Sequence, residues 1–303
     1  MNTIENINQC PICGGKEIKY IHTSKDYVAT GENFEIVCCN KCSHSYTNPR
    51  PSANFVGKYY QSKNYISHSG GEKNKFGLTY KLYDIIRNIS IKSKLKIIKK
   101  YNEKGVLLDL GCGLGYFLKG VKDDQVFQAK GIDISEDARK YVKEAFGINV
   151  ESEIEINNYG SESVDVITQW HVLEHVYDLE KRMQDLKRIL SRNGTLFIAV
   201  PNSKSFDAKY YKEFWDGYDV PRHIHHFNRE SISLLLTKNG FDITEIKPMW
   251  FDAPYISMRS EYHKGNKTLG FILGGIIGMY SNLLSLLTKN YSSILVIAKH
   301  NAK

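Results

Sequence analysis

This 303-residue chain predicts an α/β fold, a doubly wound sheet with a small separate unit ahead of it. Three observations carry that prediction. Short apolar runs alternate with helical stretches from residue 105 onward. A glycine-rich turn follows the first of those runs. Two Cys-x-x-Cys pairs precede all of them.

The cysteine pairs come first in the chain. Cys10-Pro-Ile-Cys13 and Cys39-Asn-Lys-Cys42 are separated by 25 residues, the spacing of a zinc ribbon. Four thiolates would fill a tetrahedral site and leave no open position, so the expected zinc is structural. His22 and His44 are the alternative ligands. Residues Ile18 to Tyr20 and Phe34 to Val37 alternate like a short hairpin between the pairs. The unit is placed at residues 1–48. Residues 49–104 follow as a polar connector and an amphipathic helix expected from Tyr80 to Tyr101, with Leu82, Ile85, Ile86 and Ile89 on one face.

The remainder, 105–303, supplies the sheet. Val106–Leu110 is nearly all apolar, as a strand buried on both faces should be. Strands are expected at Gln128–Asp133, Val164–Thr168, Thr195–Val200, Phe241–Ile246 and Ser293–Ala298. Helices are expected at Ser135–Phe146, Leu179–Leu190 and Arg229–Asn239. An apolar helical insertion at about 252–290 precedes the last strand.

Charge narrows the partners. The chain nets +8, yet residues 58–104 alone net +9. A local basic stripe suits an anionic partner or surface, or is the solvated face of a helix, and no nucleic acid is expected. No apolar run follows a basic start in the first twenty residues, so the expected compartment is a reducing cytoplasm.

The glycine turn carries the chemistry. Gly111-Cys-Gly113-Leu-Gly115 lets backbone approach a ligand at a helix N-terminus. Asp133, at the end of the next strand, stands where a carboxylate takes ribose hydroxyls. Asp109 would repel a pyrophosphate but suits a cationic amine, as at the amino-acid end of S-adenosylmethionine.

Val106-Leu-Leu-Asp-Leu-Gly-Cys-Gly-Leu-Gly115 resembles motif I of class I S-adenosylmethionine-dependent methyltransferases. Gly131-Ile-Asp-Ile-Ser135 resembles their second motif, and Trp170-His-Val-Leu-Glu-His-Val176 the segment after their fourth strand. The resemblance implies a Rossmann-like, mostly parallel sheet with an antiparallel last strand. It also implies that Asp109, Gly111, Gly113 and Gly115 hold the methionine end, Asp133 the ribose and Ile134 the adenine. Gln169, Trp170 and His171 would line the sulfonium. Glu153, Glu155 and Asn157 compete for the adenine contact.

The cysteine pairs, Asn48-Pro-Arg-Pro51, Trp215-Asp216 and Pro221-Arg-His-Ile-His-His-Phe227 resemble a bacterial subgroup with a zinc ribbon before the methyltransferase domain, often linked to sugar or cell-surface polysaccharide synthesis. The resemblance therefore implies a small acceptor, a nucleotide- or lipid-linked sugar. A cofactor-binding scaffold without turnover and a quinone- or lipid-pathway O-methyltransferase are the rival readings.

An oxygen or carbon acceptor also needs a base, and histidine has the suitable pKa. His223 or His226 is the expected base, with His171 next; the rival role for the first two is to anchor their loop. His171, Glu174 and His175 also have H-x-x-E-H spacing, a second metal reading. Tyr210, Tyr211, Phe214, Trp215 and Tyr218 are expected to wall the acceptor. Leu269–Leu287 just reaches the length of a membrane span. A last strand that must rejoin the sheet argues instead for a helical hairpin that is buried or pairs two copies. Peripheral membrane contact through this segment and the basic helix is the alternative.

Overall fold

The computed structural model describes residues 3–60 and 77–301. In chain order the first strands are β1 Ile4–Glu5, β2 Ile18–Lys25, β3 Asn33–Cys39, β4 Ser45–Thr47 and β5 Arg50–Pro51. Helix α1 spans Gly77–Ile98, then come β6 Gly105–Leu110, α2 Tyr116–Asp124, β7 Phe127–Ile132, α3 Glu136–Phe146, β8 Val150–Glu151 and β9 Val164–Trp170. The rest is α4 Leu179–Ile189, β10 Leu190–Pro201, α5 Phe206–Tyr211, β11 His225–His226, α6 Arg229–Lys238, β12 Phe241–Pro248, α7 Asp252–His263, α8 Gly270–Thr288 and β13 Ser293–His300.

The main sheet has seven strands in the order β12-β13-β10-β9-β6-β7-β8. β8, β7, β6, β9 and β10 run parallel, and β13 lies antiparallel to both β10 and β12. This is the Rossmann-like arrangement with an antiparallel last strand. β6 lies inside the sheet, between β9 and β7, and is buried on both faces. Leu107 packs into the core beneath α1 and α2, while Leu108 and Leu110 pack into the core under α4 and α6. Side-chain caps set the helix starts. Ser135 accepts from the Ala138 amide, Asp178 from Lys181, and Asn228 forms a reciprocal capping box with Ser231.

Strands β9 and β10 both differ from the sequence reading in a way that bears on the site. β9 runs on to Trp170, so Gln169 and Trp170 lie within the strand. β10 starts at Leu190, the last residue of the expected helix and five residues ahead of the expected strand start at Thr195. Leu190 pairs with Val164, an irregularity follows, and pairing resumes at Thr195.

The N-terminal unit does not stand apart at residue 48. Its sheet has the order β11-β4-β3-β2, so its edge strand comes from the distant loop before α6. Cys10, Ile12, Val37, Cys39 and Tyr46 share one core with Phe227, Ile232 and Leu235. A unit this small has little core of its own and gains one by borrowing. In the connector, β5 pairs with β1, and Tyr59 is buried at the end of a single 3-10 turn, Val56–Tyr59. The connector beyond residue 60, with Lys63, Glu72, Lys73 and Lys75 of the basic stripe, lies outside the described residues. So do the side chains of Lys81 and Leu82. Ile85, Ile86 and Ile89, expected on the apolar inner face of α1, are exposed; Leu95 and Ile98 are buried.

Candidate functional site

The C-terminal ends of β6 and β7 form a cradle. Gly111, Gly113 and Gly115 all have positive φ, of 71°, 53° and 70°. Their surroundings divide them. A Cβ on Gly111 would lie 2.6 Å from a Val172 methyl, and one on Gly115 would lie 2.7 Å from a Val142 methyl. A Cβ on Gly113 would meet nothing within 4 Å. Two glycines thus let the chain pack, and Gly113 turns its bare backbone to open space.

Asp133 organises this turn. Its Oδ2 accepts from the Gly113 amide at 2.7 Å and its Oδ1 from the Ser135 amide at 2.8 Å. Each oxygen keeps a lone pair for a ligand hydroxyl. Asp109 is buried one layer deeper, and the Thr168 hydroxyl donates to its Oδ1 at 2.5 Å. Burial pushes the Asp109 carboxyl up to about 7, against the pull of Thr168 and Lys94. A carboxyl poised this way gains by meeting a cationic amine. Ile134 is 82% exposed at the end of β7, an apolar surface with no protein partner over it. Bare backbone, a ribose-suited carboxylate, an amine-suited carboxyl and an open apolar side chain fit S-adenosylmethionine.

Gln169 and Trp170 fall on opposite faces of the sheet because strand side chains alternate. Gln169 pairs with Ile198 on the face toward α4 and α6, fully buried, and neither end of its amide has a protein partner. Trp170 pairs with Ala199 on the other face and packs edge-on against Phe117. They therefore cannot line the same side of a ligand. Lys94 reaches over the Trp170 ring at 4.1 Å, close enough to Asp109 and Asp252 for its charge to act on both. Among the adenine-side candidates, Glu153 pairs with Arg182, Glu155 accepts from Asn158, and Asn157 binds the Ile154 carbonyl.

Past β9 the chain turns sharply, with His171 at φ 58°. Its Nε2 lies 3.0 Å from Asp252 Oδ2 and its Nδ1 3.3 Å from Glu174 Oε1. Burial opposes a charge there, but the two carboxylates outweigh it and raise the imidazole to about 10. Both ring nitrogens of His171 thus face carboxylates, which favours its protonated form. Burial drives the other way at His175, to about 4, and at His225, to about 3.

The two candidate bases differ. His226 is buried in β11, with Nε2 3.0 Å from the Thr47 hydroxyl. Burial holds its imidazole well below the usual range, so it stays neutral as a cross-strand tie between β11 and β4 of the N-terminal sheet. His223 donates from Nδ1 to the Gly217 carbonyl at 2.9 Å, which leaves Nε2 as the acceptor nitrogen. That Nε2 stands 4.0 Å from Glu174 Oε1 and 4.0 Å from Asp219 Oδ2. Glu174, His175 and His223 bring ligand atoms within 4.8 Å of one another, whereas the H-x-x-E-H reading required His171, which is engaged by Asp252. The expected aromatic wall is mostly core. Tyr211, Trp215 and Tyr218 are buried against Phe34, Ile36 and Tyr59.

At the other end of the chain, Cys10, Cys13, Cys39 and Cys42 place their sulfurs within 4.8 Å of one another. Cys10 Sγ lies 3.5 Å from Cys42 Sγ, and Cys13 Sγ lies 3.6 Å from Cys39 Sγ. Those separations approach the edge of roughly 3.8 Å of a tetrahedron built on 2.3 Å zinc–sulfur bonds. A Cβ on Gly15 would come 3.0 Å from Cys39 Sγ and 3.3 Å from Cys13 Sγ, so the chain passes close against the sulfurs there. The donor set fits zinc. His22 and His44 lie outside it: His44 packs on His225, 3.2 Å between ring nitrogens, and His22 sits edge-on to Tyr218.

Residues 83–246 match the methyltransferase domain family. The chain belongs to that family. It is 32% identical over 127 residues to an uncharacterized protein of Methanocaldococcus jannaschii, covering 41% of this chain and 58% of that protein. It is 26% identical over 140 residues to a probable S-adenosylmethionine-dependent methyltransferase of Mycobacterium tuberculosis, covering 45% and 48%. The matches thus span about half the length of these curated relatives. In fold it is similar to phosphoethanolamine N-methyltransferase 2 of Haemonchus contortus, solved with S-adenosyl-L-methionine, at TM-score 0.51 and 17% identity over 94% of this chain and 69% of that one.

Lys94 and Asp252, which converge on the cradle, are the residues that sequence reasoning missed. Lys94 counted only as one more lysine on a solvated helix face. Asp252 counted only as the first residue of an insertion. Both depend on contacts between segments far apart in the chain, and no local pattern announces them.

Proposed function

We propose that the chain transfers a methyl group from S-adenosylmethionine to a small acceptor, a nucleotide- or lipid-linked sugar, in a reducing cytoplasmic setting. The observation that carries the cofactor half is Gly113 with Asp133: an open backbone turn and a carboxylate fixed beside it by two amides. When bound, the cofactor supplies an activated methyl on a sulfonium. The protein's part is alignment and proton handling. Asp133 holds the ribose hydroxyls, and Ile134 covers one adenine face. Asp109 takes the amine, and Lys94 suits the carboxylate of the same amino-acid end.

His223 is the proposed proton acceptor. Its tautomer is set by the Gly217 carbonyl, and the Glu174 and Asp219 carboxylates would stabilise the imidazolium that forms. The four N-terminal thiolates are proposed to hold one structural zinc. The sugar class rests on the subgroup resemblance, through Asn48-Pro-Arg-Pro51 and Pro221-Arg-His-Ile-His-His-Phe227. The test is calorimetry with S-adenosylmethionine, followed by measurement of S-adenosylhomocysteine released over a panel of nucleotide sugars and lipid-linked sugars. Binding with release on a sugar supports the reading. Binding with no release on any acceptor favours the scaffold alternative.

A further inference from the structure

Helix α8 is packed inside out. A helix on a water-soluble protein buries its large apolar residues and shows polar ones. Here the inward residues are mainly small: Gly270, Gly274, Gly278, Ser281 and Ser285, with Ile277. A Cβ on Gly278 would lie 2.4 Å from Pro254 Cα, so α8 and α7 touch backbone to backbone. Ser281 donates to the buried Asp207 at 2.8 Å, which locks that face in place. The outward face carries Leu269, Ile272, Ile276, Met279, Leu283 and Leu287, spaced three and four apart and 60–83% exposed. A 19-residue helix makes this a stripe about 28 Å long.

Charge tells what covers the stripe. No Asp or Glu occurs from Tyr262 to Lys303, while Lys264 and Lys267 stand at one end of α8 and Lys289 at the other. A second copy packed on the same face would bring basic ends together with no acid to pair them. An anionic lipid surface complements both ends. Trp250, Phe251, Tyr255 and Tyr262 are exposed on the same hairpin, and such rings suit the headgroup level. Spanning the bilayer is excluded by the locked inner face and by β13, which joins the main sheet from residue 293.

We infer that the α7–α8 hairpin docks the protein on an anionic bilayer, with α8 lying in the plane of the headgroup boundary. The hairpin is rooted at the site, because Asp252, the first residue of α7, holds His171. Resting on the methyl-transfer reading, this further assigns the acceptor to membrane-held amphiphiles whose head enters the site.

Flotation of the full chain with vesicles tests it. The protein should float with 7:3 phosphatidylcholine:phosphatidylglycerol vesicles, and less so as salt rises. The double variant Ile276→Glu/Leu283→Glu should stay at the bottom while keeping its melting temperature and its affinity for S-adenosylmethionine. Each of Lys264→Gln, Lys267→Gln and Lys289→Gln should weaken binding roughly fivefold. Failure of the wild type to float on these vesicles overturns the inference. A light-scattering dimer that Ile276→Glu splits would then assign the face to a second copy. Flotation without cofactor binding would sink the methyl-transfer reading and leave the docking intact.

Discussion

The Arg222 guanidinium lies 2.9 Å from the Asp26 carboxylate, and both side chains are closed to solvent. The residues are 196 positions apart. Arg222 also grips Asp219 through two bonds, at 2.6 and 3.0 Å, and donates to the Tyr59 carbonyl. One cation thus joins the N-terminal sheet, the connector and the loop that presents His223. Removing one member of a buried pair leaves the other charged and unpaired.

Arg222→Ala should therefore cost about 3–5 kcal/mol of folding stability. Chemical denaturation measures it. A loss below 1 kcal/mol would mean that the three segments are held together by apolar packing alone.

The cysteine cluster predicts about one zinc per chain when the protein is purified without added metal. Cys39→Ser should lose it, and a strong chelator should lower the melting temperature. Because Cys10 and Cys39 share a core with Phe227 and Leu235, metal loss should loosen α6 as well. Hydrogen exchange in residues 225–238 reads that directly, and unchanged protection there would separate the two units.

Asp133→Ala should weaken S-adenosylmethionine binding by about 1.5–3 kcal/mol for each charge-assisted hydrogen bond lost. The Gly113 turn also loses its fixing acceptor. Asp133→Asn keeps part of that support and should fall between the two. Calorimetry that gives wild-type affinity for Asp133→Ala would place the ribose elsewhere.

His223→Ala should lower turnover by about 10²–10⁴-fold with cofactor affinity kept within a few-fold. His226→Ala should do the reverse, costing stability through the lost Thr47 bond and leaving turnover in the folded protein nearly intact. Equal turnover loss in both variants would point to a shared structural role.

His171 gives a pH signature. Its folded pKa, about 10, lies above the ordinary value of 6.5. Its ion pairs with Asp252 and Glu174 therefore stabilise the fold fully below about pH 6.5, and that contribution drains away as pH rises toward 10. His171→Gln should flatten the fall in stability between those limits. A wild-type and a variant curve that run parallel from pH 6.5 to 10 would show that the proton is not held by folding.

The sequence by itself determined the sheet, because strand and helix periodicity and caps such as Ser135 and Asn228 are local signals. It also determined the cofactor turn and the cysteine cluster, since both are set by short spacings within one or two segments. The tertiary structure alone decided where the histidines stand and what they touch. His223 and His226 are three residues apart in the same motif, yet one keeps an acceptor nitrogen 4.0 Å from two carboxylates and the other is buried against Thr47 within the N-terminal sheet. Trp215 and Tyr218 read as a binding wall but serve as core, because the N-terminal unit needs partners to bury Phe34 and Ile36. Lys94 and Asp252 acquire their roles only when α1 and the start of α7 converge on β6 and β9. Contacts of that range depend on packing, which local pattern does not encode, and the same holds for the side of α8 that faces outward.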